Sequence, residues 1–175
     1  MLSKTVCQAL SDQVTKEIGS SYLYLQMAAW LEAQALKGFA AWMRIQAQEE
    51  VAHGMILFNF LLDRGAMAEL GAIPKPEAVY ASPLQVFERA LAHEQGITES
   101  INTIMDAAIK DRDFATQRRL DWFISEQVEE EANPTEIIAK IKLLGDGQSL
   151  FLLDKELGLR TFVMPPPLAA ATAAP

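Results

Sequence analysis

Four stretches of the chain each place a residue that can bind a metal within a stripe of apolar residues. The candidates are Glu17, then Glu50 with His53, then Glu94, and last Gln127 with Glu130. Residues three, four and seven apart lie on one side of a helix, and the residues predicted to share these faces are Val14, Ser21, Leu25 and Ala28; Trp42, Gln46, Leu57 and Phe60; Leu84, Phe87, Leu91, Ile101 and Met105; and Leu120, Phe123, Ile137 and Ile141. Burying a carboxylate is costly unless its charge is compensated. Because four predicted helices share this feature, the sequence predicts two divalent cations at the centre of a four-helix bundle.

The spacing of Glu50 and His53 places a carboxylate and an imidazole on adjacent turns of one helix face. This pair is a weak signal by itself, because a Glu three residues before a His is common on solvated helices. It gains weight because Glu17, Glu94 and Glu130 lie at the apolar phase of three other helices. Carboxylate oxygens with one imidazole suit iron, manganese or zinc, and redox chemistry would favour iron.

A second group of acidic residues lies directly beside the candidate ligands in the sequence of the same predicted helices. Glu49, Glu126 and Glu129 neighbour the stripe residues, and Tyr24 lies two turns after Glu17. On spacing alone these acids fit a solvated acidic face as well as a further cation site. Tyr24 is more typical of a core residue than of a redox-active one. His93 faces away from the stripe and is predicted to be a surface or pore residue.

Composition excludes several classes of protein. The chain has 175 residues, half of them hydrophobic, which is enough for one well-packed domain. Its formal charge of −8 argues against nucleic acid as a partner, because phosphate binding needs a basic surface. The single cysteine, Cys7, excludes an internal disulfide and fits a reducing cytoplasm. We expect neither a signal peptide nor a membrane span, since no apolar run approaches roughly 20 residues.

Glycine and proline mark the first half of an all-α chain. A helix is predicted over residues 4–36, ended by Gly38, and a second over residues 39–64, ended by Gly65. The short connection makes these helices antiparallel neighbours. Residues 65–83 contain two glycines and three prolines, which prevent a helix, so they predict a long crossover that lets the second and third helices run parallel.

The second half contains two long helices and a short one. Ser82 is the predicted cap of a helix over residues 83–110, and a fourth helix begins near Asp113. We expect that helix to break or kink at residues 133–134, where Asn-Pro resembles a helix start, and to end at residues 145–147.

The chain closes with a short amphipathic segment and a tail. Residues 149–162 predict a fifth helix, so that residues 1–163 form one domain. Residues 164–175 are rich in proline and alanine and are predicted to be disordered.

These motifs resemble the non-haem ferritins of bacteria and archaea over about residues 2–162. The resemblance is carried by EIGSSYLYLQMAAW around Glu17, KGFAAWMRIQAQEEVAHGM around Glu50 and His53, LAHEQGIT around Glu94, RLDWFISEQVEEEA around Gln127 and Glu130, and FLLDKELGLR in the fifth helix. It implies a ferritin-like four-helix bundle with one long crossover and a short fifth helix. Asn133-Pro134 and the tail depart from the family pattern, and neither departure removes a ligand.

The resemblance also implies a role for each candidate residue. Glu17, Glu50 and His53 would bind one iron, and Glu50 would bridge to a second iron held by Glu94 and Glu130, with Gln127 near it. Glu49, Glu126 and Glu129, with Glu130, would form a third iron site, and Tyr24 would lie beside the centre. The implied activity is oxidation of Fe(II) by O2 or peroxide. The Fe(III) would be stored as a mineral inside a hollow homo-oligomer of 24 subunits.

Related families compete with this interpretation. Haem-binding bacterioferritins usually carry Met and His where this chain has Val51 and Glu130, so we predict no haem. DNA-protecting miniferritins place the iron site between subunits, and rubrerythrins need cysteine pairs. A cage without catalysis would lack the ligand set, whereas a di-iron oxygenase would share it and act on an organic substrate.

Overall fold

The computed structural model describes residues 2–145 and 148–172, which contain six helices and no strand. The helices are α1 Lys4–Ala33, α2 Lys37–Asp63, α3 Pro83–Lys110, α4 Phe114–Leu144, α5 Gln148–Leu157 and α6 Pro166–Thr172. α1 packs along α2, α3 packs along α4, and α1 also contacts α3, which makes a four-helix bundle. α5 lies against α2 and α4. The predicted all-α bundle with a crossover and a short fifth helix is confirmed.

Side-chain caps begin the helices of the second half as predicted. The Ser82 hydroxyl accepts a hydrogen bond from the Gln85 N–H at 3.2 Å, and Pro83 occupies the first turn of α3. The Asp113 carboxylate accepts the Thr116 N–H at 3.2 Å and caps α4.

The predicted role of Gly38 as the end of the first helix is wrong. The left-handed residue after α1 is Ala35, with a φ of 61°, and Gly38 lies inside the first turn of α2. A Cβ at Gly38 would lie 1.5 Å from the carbonyl oxygen of Asp154 in α5. Glycine is therefore needed at this position for the close approach of α5 rather than for a positive φ.

The crossover of residues 64–82 runs along α1 from its beginning to its end. The Gly71 N–H donates to the Thr15 hydroxyl at 2.9 Å, and the Tyr80 ring packs edge-on against Trp30 with 5.6 Å between centroids. α3 therefore begins beside the end of α1.

α2 and α3 run parallel, as the length of the crossover predicts. α2 begins at the end of α1 because three residues join them. Phe39 and Phe87, both near the start of their helices, pack with 5.7 Å between ring centroids. This arrangement brings the central turns of α1, α2, α3 and α4 to one level of the bundle.

α4 is one continuous helix of 31 residues, so it does not break at Asn133-Pro134, whereas the alternative of a kink there stays a prediction. Pro134 is buried inside the helix. Proline removes one backbone hydrogen bond there, but Ile137, Ile138 and Ile141 after it are buried in the bundle core. Their burial maintains the helix past a residue that would end an isolated one. Asp146 and Gly147 of the predicted stop lie outside the described residues.

Two apolar clusters form the core, one at each end of the bundle. The first contains Met27, Phe39, Trp42 and Phe87 with their neighbours, and the second contains Leu10, Leu57, Ile101 and Leu120 with theirs. Buried Glu side chains occupy the level between these clusters. Leu25 was predicted to share the buried stripe and is 49% exposed instead. Eight residues after Glu17, it lies about 80° round the helix from it.

The segment predicted to be a disordered tail contains α6. Its prolines suit a helix start and its alanines favour a helix interior, which explains the helix at Pro166–Thr172. Leu168 packs beside the second core cluster. Residues 173–175 lie outside the described residues. Within the described part of the chain, no helix combines the length and apolarity needed to cross a bilayer.

Candidate metal centre

Two clusters of metal-binding side chains lie inside the bundle and share Glu50. One joins Glu17 of α1 with Glu50 and His53 of α2, and the other joins Glu50 with Glu94 of α3 and Glu130 of α4. Within each cluster the candidate ligand atoms lie within 4.8 Å of one another. All five side chains are buried, and the four carboxylates are 1–4% exposed. Glu50 is thus the residue that can bind two cations at once.

Glutamines four residues before two of these acids hold them in place. The Gln13 amide donates to Glu17 at 2.8 Å. The Gln46 amide donates to Glu50 at 3.3 Å and also to Glu130, which links the second and fourth helices. These contacts follow from the helix period, because residues four apart lie on one face.

Glu94 is held from two sides. The Tyr24 hydroxyl donates a short hydrogen bond to one carboxylate oxygen. The Gln127 amide donates to the Glu94 carbonyl at 3.2 Å and approaches its carboxylate at 3.5 Å. Gln127 therefore contacts Glu94, a member of the second carboxylate cluster.

Burial raises the pKa of every central carboxyl group. The pKa of Glu17 rises to about 8 through burial and the neighbouring Glu50, and that of Glu130 rises to about 8 through burial and Glu94. Burial raises the pKa of Glu94 to about 7, and burial with Glu94 and Glu130 raises that of Glu50 well above 4.5. Without cations, Glu17 and Glu130 therefore keep protons near neutral pH. Divalent cations would displace those protons and compensate the buried charge.

A third cluster joins His53, Glu126 and Glu130. The His53 Nδ1 atom lies 3.6 Å from Glu50, and its Nε2 atom lies 3.9 Å from Glu126. Nε2 is buried and has no hydrogen-bond partner among the described residues. An unpartnered ring nitrogen is uncommon in a folded protein. Its position beside two carboxylates is suitable for a cation.

The remaining acids of the second group lie around a cavity next to this cluster. The cavity has a volume of about 640 Å³, and Glu49, Glu126 and Glu129 line it. Glu129 is exposed, and Glu49 forms an ion pair with Arg160 at 2.5 Å. Glu49 and Glu129 thus lie near the third cluster without belonging to it.

Comparison with known proteins identifies the family. A family model described as a ferritin-like domain matches residues 7–144. The bacterial non-heme ferritin of Staphylococcus aureus (strain MRSA252) is 40% identical over 163 residues, which cover 93% of this chain and 98% of that protein. A probable bacterial non-heme ferritin-like protein of Haemophilus influenzae is 40% identical over 159 residues, 90% of this chain and 96% of that protein. An open-pore ferritin of the hyperthermophilic archaeon Archaeoglobus fulgidus superposes with a TM-score of 0.90 at 42% identity and covers 92% of this chain and 99% of that chain.

The chain belongs to the ferritin family. Membership supports a role in iron storage and in iron oxidation generally. The resemblance inferred from the motifs is confirmed, and the two buried clusters are the place in this family member where iron could bind.

The structure brings together most of the residues that the sequence predicts for the site. Glu17, Glu50, His53, Glu94 and Glu130 meet in the two buried clusters, and Tyr24 contacts one of them. Their individual roles stay predictions. His93, predicted to be a surface or pore residue, is half-buried and lines a cavity, and its ring is hydrogen-bonded to the Ser20 hydroxyl at 2.7 Å. It packs edge-on against Tyr24.

Sequence reasoning gave no role at the centre to three residues that contact it, although it placed Gln46 on the same helix face as Glu50. Gln13 and Gln46 carry a detectable signal, since each lies four residues before a candidate ligand. Arg160 carries none, because it reaches Glu49 across 111 residues of sequence.

Proposed function

We propose that this chain oxidises Fe(II) at a di-iron centre and stores the product as an Fe(III) mineral inside a hollow oligomer. The observation that carries this proposal is the pair of buried clusters that share Glu50. Two adjacent cation positions with one bridging carboxylate allow two iron ions to give one electron each to the same oxidant. O2 or peroxide would be the oxidant, and the iron is substrate and cargo.

The residues supply binding, charge and proton acceptance. Glu17, Glu50 and His53 would hold one Fe(II), and Glu50, Glu94 and Glu130 would hold the other. Carboxylates favour the more highly charged Fe(III) product because they carry negative charge in a water-poor site. Tyr24, whose pKa burial and the adjacent Glu94 raise well above 10, keeps its proton and donates it to Glu94 in a hydrogen bond. It would fix the orientation of that ligand.

A third iron position would lie on the cavity side of the centre. Glu126 reaches it from the fourth helix beside the Nε2 atom of His53, and Glu130 would connect it to the di-iron pair. Glu49 and Glu129 line the adjoining cavity and would attract cations towards it. Iron could then pass along these carboxylates between the di-iron pair and the mineral inside the oligomer. We propose no haem, since Val51 and Glu130 occupy the positions where haem-binding bacterioferritins usually carry Met and His.

The assembly would bury apolar side chains that α1 and α2 leave exposed. Tyr22, Leu25, Val51 and Met55 are 37–52% exposed on these two helices. Apolar groups of this kind on adjacent helices favour association between copies of a chain. The family relationship suggests 24 subunits, and we propose a cytoplasmic location, with which the lone Cys7 is compatible.

Aerobic addition of Fe(II) to the apo-protein tests the proposal. The absorbance of Fe(III) should rise within seconds without any organic substrate, and sizing should find the iron in a large, closed particle. Oxidation that requires an added organic substrate would support an oxygenase instead. A particle that assembles but oxidises Fe(II) no faster than buffer would leave a cage without catalysis.

A further inference from the structure

Arg160 reaches the metal centre from the segment that follows α5. Its guanidinium donates to the Gln46 carbonyl oxygen Oε1 at 2.8 Å and to Glu49 at 2.5 Å. The same group lies over the Trp42 ring, 4.5 Å from its centroid. A planar guanidinium can make these contacts at once, because its donors point in fixed directions. The side chain is 21% exposed, so it lies at the boundary between the bundle interior and the cavity.

Through Gln46, this contact extends to the proposed iron ligands. Arg160 binds the amide oxygen of Gln46, and the amide nitrogen donates to Glu50 and Glu130. A side-chain amide that accepts with its oxygen must present its nitrogen to the opposite side. Arg160 therefore selects the orientation of Gln46 that places hydrogen-bond donors against the two carboxylates.

Arg160 also compensates the charge of Glu49. The guanidinium and this partly buried carboxyl group form an ion pair beside the cavity. Glu126 and Glu129 line the same cavity without an arginine partner among the described contacts. A cation that uses Glu49 must share this carboxylate with the guanidinium or displace it. Sharing opposes binding because two positive charges then lie close together. Displacement opposes it because the ion pair between Arg160 and Glu49 is broken.

We propose that Arg160 is a positioning residue that holds Glu49 in an ion pair and thereby keeps cation binding at the third position weak. The inference rests on the proposed di-iron function and adds how iron leaves the centre. Weak binding at the third position favours onward passage of iron to the cavity over retention. Removal of the positive charge should strengthen binding there and slow the release of oxidised iron.

Titration of the assembled, metal-free protein with Zn²⁺, which does not change its redox state, tests this proposal. The variants Arg160→Gln and Arg160→Ala should bind the weakest ion per subunit about tenfold more tightly than the wild type, a change of about 1.4 kcal/mol. Arg160→Lys should retain the wild-type affinity because it keeps the charge. Arg118→Ala is the matched control, since Arg118 is 85% exposed on α4 and pairs with Asp121. Crystals soaked in Zn²⁺ should gain occupancy beside Glu49 in the Gln variant.

Each outcome of this titration has a definite meaning. The role of the charge would be overturned if Arg160→Gln bound its weakest Zn²⁺ ion with the wild-type affinity. It would also be overturned if Arg160→Lys behaved like Arg160→Gln. If the wild type binds two ions and no third, a third ion in Arg160→Gln supports the proposal, and its absence refutes it.

The two more tightly bound ions report on the di-iron centre separately. Their loss in Glu50→Ala supports that centre, and their absence from the wild type would overturn the proposed function. If Arg160→Ala fails to assemble, the Gln and Lys variants retain most of the side-chain volume and decide the question.

Discussion

Asp154 of α5 caps the first turn of α2 at Gly38. Its carboxylate accepts the backbone N–H groups of Gly38 at 2.8 Å and of Phe39 at 3.0 Å. These N–H groups have no partner within their own helix, and the negative charge lies at the positive end of the helix dipole. The contact fixes α5, and with it the segment that carries Arg160, to the helix that carries Glu50 and His53.

We expect substitutions at this contact to detach α5 from α2. Asp154→Ala should lower the free energy of unfolding by about 1–2 kcal/mol, since it removes a helix cap. Gly38→Ala should cost more, because the added Cβ would overlap the Asp154 carbonyl oxygen. Denaturant unfolding measures both changes. Gly96→Ala is the control, because a Cβ there meets nothing within 4 Å, and it should be neutral or stabilising. Equal stability of Gly38→Ala and Gly96→Ala would contradict this account.

Glu50→Ala should abolish rapid Fe(II) oxidation while the oligomer still assembles. Loss of the shared carboxylate removes a ligand from both cation positions, so we expect the initial rate to fall about 100-fold or more. Stopped-flow absorbance of Fe(III) measures the rate, and sizing measures assembly. Glu99→Ala removes an exposed carboxylate of α3 and should oxidise Fe(II) at the wild-type rate. An unchanged initial rate in Glu50→Ala would show that the bridging assignment is wrong.

The metal-free protein should lose stability as the pH rises from about 4.5 to about 8. Burial raises the pKa of Glu17 and Glu130 from 4.5 to about 8 and that of Glu94 to about 7, so the folded state binds more protons than the unfolded state in this range. The free energy of unfolding therefore falls as the pH rises through this range. Below pH 4.5 and above the folded pKa values, these groups contribute little further change.

Thermal unfolding between pH 5 and 8 measures this dependence. A saturating concentration of Zn²⁺ should reverse it, because bound cations stabilise the ionised carboxylates. The variant Glu17→Gln should flatten the pH dependence of the metal-free protein. A melting temperature that rises steadily from pH 5 to 8 without metal would contradict the assignment.

The acids near the third position should affect later turnover more than the first oxidation. Glu126→Ala removes a carboxylate next to His53 Nε2, whereas both clusters of the di-iron pair stay complete. We expect the first burst of oxidation to stay within about twofold and the ratio of iron oxidised to O2 consumed to change. Crystals soaked aerobically in Fe(II) should contain a third iron peak in the wild type and lose it in Glu126→Ala. Glu136→Ala, an exposed residue of α4, is the control. Two peaks without a third in both the wild type and Arg160→Gln would refute the third site.

Pro134→Ala should stabilise the protein without changing the iron chemistry. Alanine restores a backbone N–H that can donate towards the Glu130 carbonyl four residues earlier, and interior proline is about 3 kcal/mol less favourable than alanine. Lost contacts of the buried ring offset part of this gain, so we expect a net stabilisation of about 1 kcal/mol or more. The Glu130 side chain is already held by Gln46. Altered iron positions or oxidation kinetics in this variant would assign the proline a functional role instead.

The sequence by itself determined the bundle and most of its candidate site. Helical spacing repeats every three to four residues, so the positions of Glu17, Glu50, Glu94 and Glu130 within apolar stripes can be read from the order of residues. Capping is also local, and Ser82 begins α3 as its motif predicts. These features depend on neighbours within about one or two turns of the same helix. The family match confirms the fold, and the roles of the individual ligands stay predictions.

The tertiary structure decided the features that depend on contacts between distant segments. Gly38 belongs to α2 because Asp154 approaches it, and Pro134 stays inside a helix because the residues after it are buried. Arg160 reaches Glu49 from beyond α5, and the third cluster combines His53 with Glu126 across two helices. Local propensity is worth about 1 kcal/mol per residue or less for ordinary residues. Burial of a large apolar side chain is worth more, so packing overrides the local signal wherever the two conflict.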